Sequence, residues 1–96
     1  MKTVLGVYFE NGTAKAIKAE FKHKHTKETT DIVSATRALR KVAKKDYVKI
    51  YAQNSNNHYV GISCGHSGEK GFEKYEADLA RNYTTEMVVR EIEKLI

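Results

Sequence analysis

An Asn11-Gly12 dipeptide set between two runs of alternating residues is the feature that most restricts how this chain can fold. From Lys2 to Phe9, Leu5, Val7 and Phe9 share one face and Val4, Gly6 and Tyr8 the other. From Ala14 to Lys22, Ile17, Ala19 and Phe21 alternate with Lys18, Glu20 and Lys22. Period-two alternation is the signature of a strand, and Asn and Gly tolerate the positive φ of a tight turn, so a hairpin is predicted. With Asn11-Gly12 alone as the loop, Val7 would oppose Ala16 and the apolar rows would face opposite ways. A bulge near Thr13 pairs Val7 with Ile17 and Leu5 with Ala19 instead, and this is the expected register.

Beyond the hairpin, Thr26 to Asp31 carries several candidate N-caps, and Ile32, Ala35, Leu39 and Val42 follow at helical spacing. Arg37, Arg40, Lys41, Lys44 and Lys45 line the remaining faces of this helix, and those in its last turn complement the negative end of the helix dipole. A second hairpin is predicted from Val48, Ile50 and Ala52 alternating with Tyr47, Lys49 and Tyr51, and from Val60 and Ile62 after Asn54–Asn57. A five-residue loop beginning at Gln53 would pair Ile50 with Val60 and Val48 with Ile62. Cys64 to Gly71 reads as a glycine-rich loop, after which Phe72, Tyr75 and Leu79, then Val88, Ile92 and Leu95, restore helical spacing. Asn82 to Thr85 bends or breaks that stretch, with Thr84 or Thr85 as a cap. The order is ββαββα, an α+β domain in which a four-stranded, mainly antiparallel sheet carries its helices on one face.

Ninety-six residues, 41% of them hydrophobic, suffice for one small core and exclude a second. Seventeen Lys and Arg against twelve Asp and Glu give a formal charge of +5. The excess is polarised: residues 1–49 hold twelve basic and five acidic side chains (+7), residues 50–96 five and seven (−2). A basic half concentrates polyanions, so RNA, single-stranded DNA or a nucleoprotein is the first partner to consider. The single cysteine, Cys64, cannot form an internal disulfide, and no stretch has the length of a membrane span. The opening Met-Lys-Thr-Val-Leu lacks the apolar run of a secretory signal, so a cytoplasmic protein without membrane contact is expected.

If the apolar rows point to the helices, alternation sends Tyr8, Tyr47, Tyr51 and Tyr59 to the opposite, open face together with Lys18, Lys22 and Lys49. Tyrosine rings stack on bases and ammonium groups meet phosphates, which suits a single strand of nucleic acid. Lys22, Lys24 and Lys27, with His23 and His25, add a basic loop beside that face. The same aromatic face would serve as a homodimer interface. His23, His25, Cys64 and His66 have soft-ligand chemistry but not the spacing of a zinc site, and no metal or cofactor is expected.

Four segments in chain order resemble ribonuclease H pieces: Val7–Gly12 with Glu10, Thr29–Asp31 leading to Ala38-Leu39, Ile50–Asn54, and Gly65–Gly68 before Ala77–Ala80. The resemblance implies a metal-dependent nuclease in which carboxylates hold two divalent metals for phosphodiester hydrolysis. Carried over, Glu10, Asp31 and Asp78 would be metal ligands and His66 the histidine near product release. The family's third acidic position falls on Gln53 or Asn54, which are neutral. The leading expectation is therefore a non-catalytic nucleic-acid- or nucleoprotein-binding module using Tyr8, Tyr51, Tyr59, Lys18, Lys22, Lys24, Lys27 and Lys49. A homodimeric interaction domain and a degenerate ribonuclease H-like nuclease are the alternatives.

Overall fold

The computed structural model describes residues 1–24, 30–64, 70–82 and 84–96. His25, Lys27, His66 and most of the glycine-rich loop lie outside the described residues. Strands β1 (Lys2–Glu10) and β2 (Thr13–Phe21) form the first hairpin, followed by α1 (Ile32–Val42). The second hairpin is β3 (Lys49–Gln53) and β4 (Tyr59–Ser63), followed by α2 (Phe72–Leu79) and α3 (Thr85–Glu93). The sheet order is β2-β1-β3-β4, with every neighbouring pair antiparallel. The α+β class and the ββαββα order are as expected, with the last helical stretch divided in two.

The break has a local cause. Asn82 donates from both its backbone N–H and its side-chain amide to the Leu79 carbonyl, at 3.0 and 3.1 Å, closing α2. Thr84 Oγ1 then accepts from Met87 N–H at 3.2 Å to start α3.

The placement of the helices differs from the expectation. Because β2 and β3 are both antiparallel to β1, they run parallel to each other, and α1 crosses β1 between them on one face of the sheet. Val4, Ala19, Phe21, Ile50 and Ala52 pack there with Ala35, Leu39 and Tyr47. On the opposite face Leu5, Val7 and Val48 pack with Phe72, Val89 and Ile92. The helices thus cover both faces, not one.

This two-sided core explains the register. Asn11 and Gly12 have φ of 54° and 78°, the positive pair a two-residue turn requires, and there is no bulge. Val7 stands opposite Ala16, Gly6 opposite Ile17 and Val4 opposite Ala19. The expected pairing of Val7 with Ile17 assumed that all apolar residues must meet on one side. Each row of β1 instead has its own helical cover, so the unbulged turn costs nothing. In the second hairpin the five-residue loop spans residues 54–58, and Ile50 faces Ile62 while Ala52 faces Val60. That is two residues from the expected register, which leaves the faces unchanged. Asn54 sets the loop by accepting Asn56 and His58 N–H on its side-chain oxygen, at 2.9 and 3.0 Å.

Candidate nucleic-acid interface

The expected tyrosine face is not formed. Tyr8 and Tyr47 lie on the α1 side, and Tyr47 is buried in the core there. Tyr51 and Tyr59 lie on the other side, packed against the α2–α3 cluster. Burial pushes the phenols of Tyr47, Tyr51 and Tyr59 above their ordinary range, as befits rings enclosed in the fold. The cause is the unbulged register together with the antiparallel pairing of β3 on β1, which sets Tyr51 opposite Leu5.

The predicted lysines among the described residues do not converge either. Lys18 is exposed opposite Leu5, on the side away from α1, and Lys49 is partly buried with its ammonium 3.7 Å from Glu76 on α2. Lys22 and Lys24 are exposed beyond the end of β2, where Lys24 N–H donates to Asp31 at 3.0 Å.

The carboxylates of the nuclease reading stand apart. Glu10 ends β1 and pairs with Lys15 at 2.9 Å and Lys45 at 3.9 Å, which together hold its carboxyl below the usual range. Asp31 is buried as the N-cap of α1, accepting from Ser34 N–H at 3.1 Å. Lys45 lies past the other end of α1, so Glu10 and Asp31 stand towards opposite ends of that helix. Asp78 lies on α2, across the sheet, 3.9 Å from Arg81. Among the described residues no three His, Cys, Asp or Glu side chains come close enough to hold a metal ion, so the residues present do not fit a two-metal centre. Cys64 is half-buried, its thiol pushed up by burial against the pull of Lys49 and Arg40, and directed at the Ile62 carbonyl at 3.5 Å. That is a packed thiol, not an activated one.

What the fold does assemble is a basic helix face. Ala35 and Leu39 seat α1 on the sheet, and helical geometry then turns Val33, Arg37, Arg40 and Lys41 outward at positions i, i+4, i+7 and i+8, while Lys44 follows just past the extended C-cap Ala43. All five are exposed, and no acidic residue occurs from Ile32 to Lys45. Among the described residues, none of Arg37, Arg40, Lys41 and Lys44 forms an ion pair. Arg40 and Lys41 in the last turn complement the helix dipole, but that effect fades beyond one turn and does not account for Arg37.

Three depressions meet on this face. One of about 670 Å³ runs along the outer surface past Ile32, Val33 and Arg37. A second, about 660 Å³, lies at the C-terminal end of α1 against Tyr8 and Glu10 of β1. The third, about 320 Å³, separates α1 from Ile62 and Cys64. Arg40 lines all three. These cations were visible in the sequence as helix-face residues. The signal that sets them apart as a candidate is the missing acid over fourteen consecutive positions, where a solvated helix ordinarily mixes both signs.

Among the described residues, no helix is long and apolar enough to cross a membrane. Comparison of the chain with family models, with curated proteins and with solved structures gives no match.

Proposed function

We propose that this protein is a small, non-catalytic nucleic-acid-binding module, free or as part of a nucleoprotein contact, whose interface is the outward face of α1. The observation that carries this reading is the row of four exposed cations, Arg37, Arg40 and Lys41 on α1 and Lys44 just past its C-cap, in a stretch without a single carboxylate from Ile32 to Lys45. Like charges held together on a rigid element repel one another, and a polyanion relieves that repulsion while releasing its condensed counterions. The same physics disfavours a homodimer through α1, which would bring two cationic rows together. The homodimer expected through an open tyrosine face loses its surface, because those rings are divided between two covered faces.

The test is a fluorescence-anisotropy titration with single-stranded RNA, single-stranded DNA and duplex DNA at two ionic strengths. Four phosphate contacts predict a slope of log K against log salt of about −3 for a single strand and about −3.6 for a duplex. Replacing all four cations with alanine should flatten the slope towards zero. Wild-type protein that binds none of the three, or a quadruple variant that binds as wild type does, overturns the proposal.

A further inference from the structure

Resting on the basic-face reading, we infer that the groove at the C-terminal end of α1 is a stacking site for one unpaired nucleobase, with Tyr8 as its platform, so that the preferred ligand is single-stranded. Tyr8 is only half-buried, and its ring lines the groove beside Arg40, Lys44 and Lys45. Of the four tyrosines expected on an open sheet surface, Tyr8 and Tyr47 both border Arg40, and of these two Tyr47 is buried while Tyr8 keeps part of its surface open. The groove volume of about 660 Å³ accommodates a nucleotide.

The ring is pre-set by what lies behind it. Tyr47 meets Tyr8 edge to face, with centroids 6.2 Å apart and planes at 87°. Tyr47 is itself fixed, since its hydroxyl donates to the Ala43 carbonyl at 2.6 Å. It can lie so close to the sheet because Gly6 has no side chain: a Cβ there would come within 2.6 Å of the Tyr47 ring and 2.5 Å of Leu39. A platform already held in place loses little freedom when a base settles on it.

The present occupant of the ring face is replaceable. Lys45 Nζ sits 5.0 Å from the Tyr8 centroid, a cation–π contact. Its ion pair with Glu10 is long, at 3.9 Å, because Lys15 holds the same carboxylate at 2.9 Å. An exposed pair at that distance restrains the ammonium weakly. Lys45 can therefore swing to a phosphate while Glu10 keeps Lys15, and the base takes the vacated ring face. Asp46 and Glu10 stand against Arg40, Lys44 and Lys45, which leaves the groove net basic. A duplex cannot use this arrangement, because its base faces are stacked on one another.

The experiment compares a short oligothymidylate, an oligouridylate and an abasic deoxyribose-phosphate strand of equal length, titrated against the full chain by fluorescence anisotropy. Wild type should bind the oligothymidylate, the oligouridylate or both about fivefold more tightly than the abasic strand, the lower end of the range for one stacked base. Which of the two shows the gain identifies DNA or RNA as the source of the base. Tyr8→Leu should bring every strand to the affinity of the abasic one, and Tyr8→Phe should keep the preference. In wild-type protein, independently of any variant's folding, the Tyr8 ring protons should move upfield on adding the base-bearing strand and not on adding the abasic one. Equal binding of all strands, or Tyr8 protons indifferent to bases, overturns the stacking site while leaving the basic face standing. Failure to bind any strand, the abasic one included, overturns the basic face itself.

Discussion

Replacing Gly6 with alanine tests the placement of α1 directly. In the middle of a strand the intrinsic change from Gly to Ala is favourable by about 0.5–1 kcal/mol, because glycine loses more freedom on folding. If Gly6 faced solvent, Gly6→Ala would therefore stabilise the protein, and so it would in the bulged hairpin with helices on one side only. In the observed register Gly6 lies beneath α1, where an added Cβ would meet Leu39 Cδ2 at 2.5 Å and two Tyr47 ring carbons at 2.6 and 2.7 Å. Leu39 is fully buried and Tyr47 is tied to Ala43, so neither can withdraw freely. Overpacking at such a site costs about 3 kcal/mol, the upper end of its usual range. After the intrinsic gain is subtracted, a net loss of about 2 kcal/mol remains, which for a domain this small lowers Tm by about 8–16 °C. Urea denaturation with a matched thermal melt reads both quantities. Gly61→Ala is the internal control, since its Cβ would approach only the Tyr51 ring, at 3.1 Å, from an exposed position. A Gly6→Ala variant as stable as wild type, or more so, would refute the packing of α1 on this face.

Two further outcomes follow from single residues. Asp31→Ala removes the acceptor for Ser34 and Lys24 N–H at the start of α1 and should destabilise by about 1–2 kcal/mol in urea denaturation, while Asp31→Asn keeps most of the cap. Tyr75 has a buried hydroxyl without a hydrogen-bond partner among the described residues, and burial pushes its phenol up to about 12. Because this folded value exceeds the unfolded one near 10, the protonated phenol belongs to the folded state: the contribution is complete below about pH 10 and is lost towards about pH 12. Tyr75→Phe should remove that alkaline component, about 2 kcal/mol, and be neutral or slightly stabilising at pH 7, as read by denaturation across that pH window.

Much of the secondary structure was legible because its determinants are local. Asn11-Gly12 supplies two positive-φ residues in succession, Asp31 caps the helix it precedes, and Thr84 starts the last one. The facing of the strands was less legible, although a sign of it was present. No charged residue occurs from Thr3 to Phe9, whereas Ala14 to Lys22 carries Lys15, Lys18, Glu20 and Lys22. A strand apolar on both rows is a central strand covered on both sides, and Val4, Leu5 and Val7 are indeed all buried. Simple alternation along that run predicts a bulge, one helical face and a shared tyrosine surface, none of which forms. Of the predicted binding residues among those described, Tyr8 borders the cationic row that the fold assembles.

The amino-acid sequence by itself determined the hairpins, the helices, their order and the charge carried by α1, since each depends on neighbours within a few positions. Only the tertiary structure decided which row of each strand meets which helix, and hence which rings are enclosed and which cations stand free. A side chain's face in a strand is set by parity, and a shift of one residue between partners exchanges the two faces completely. That choice was made by the helices that cover the sheet, packed against it from distant parts of the chain.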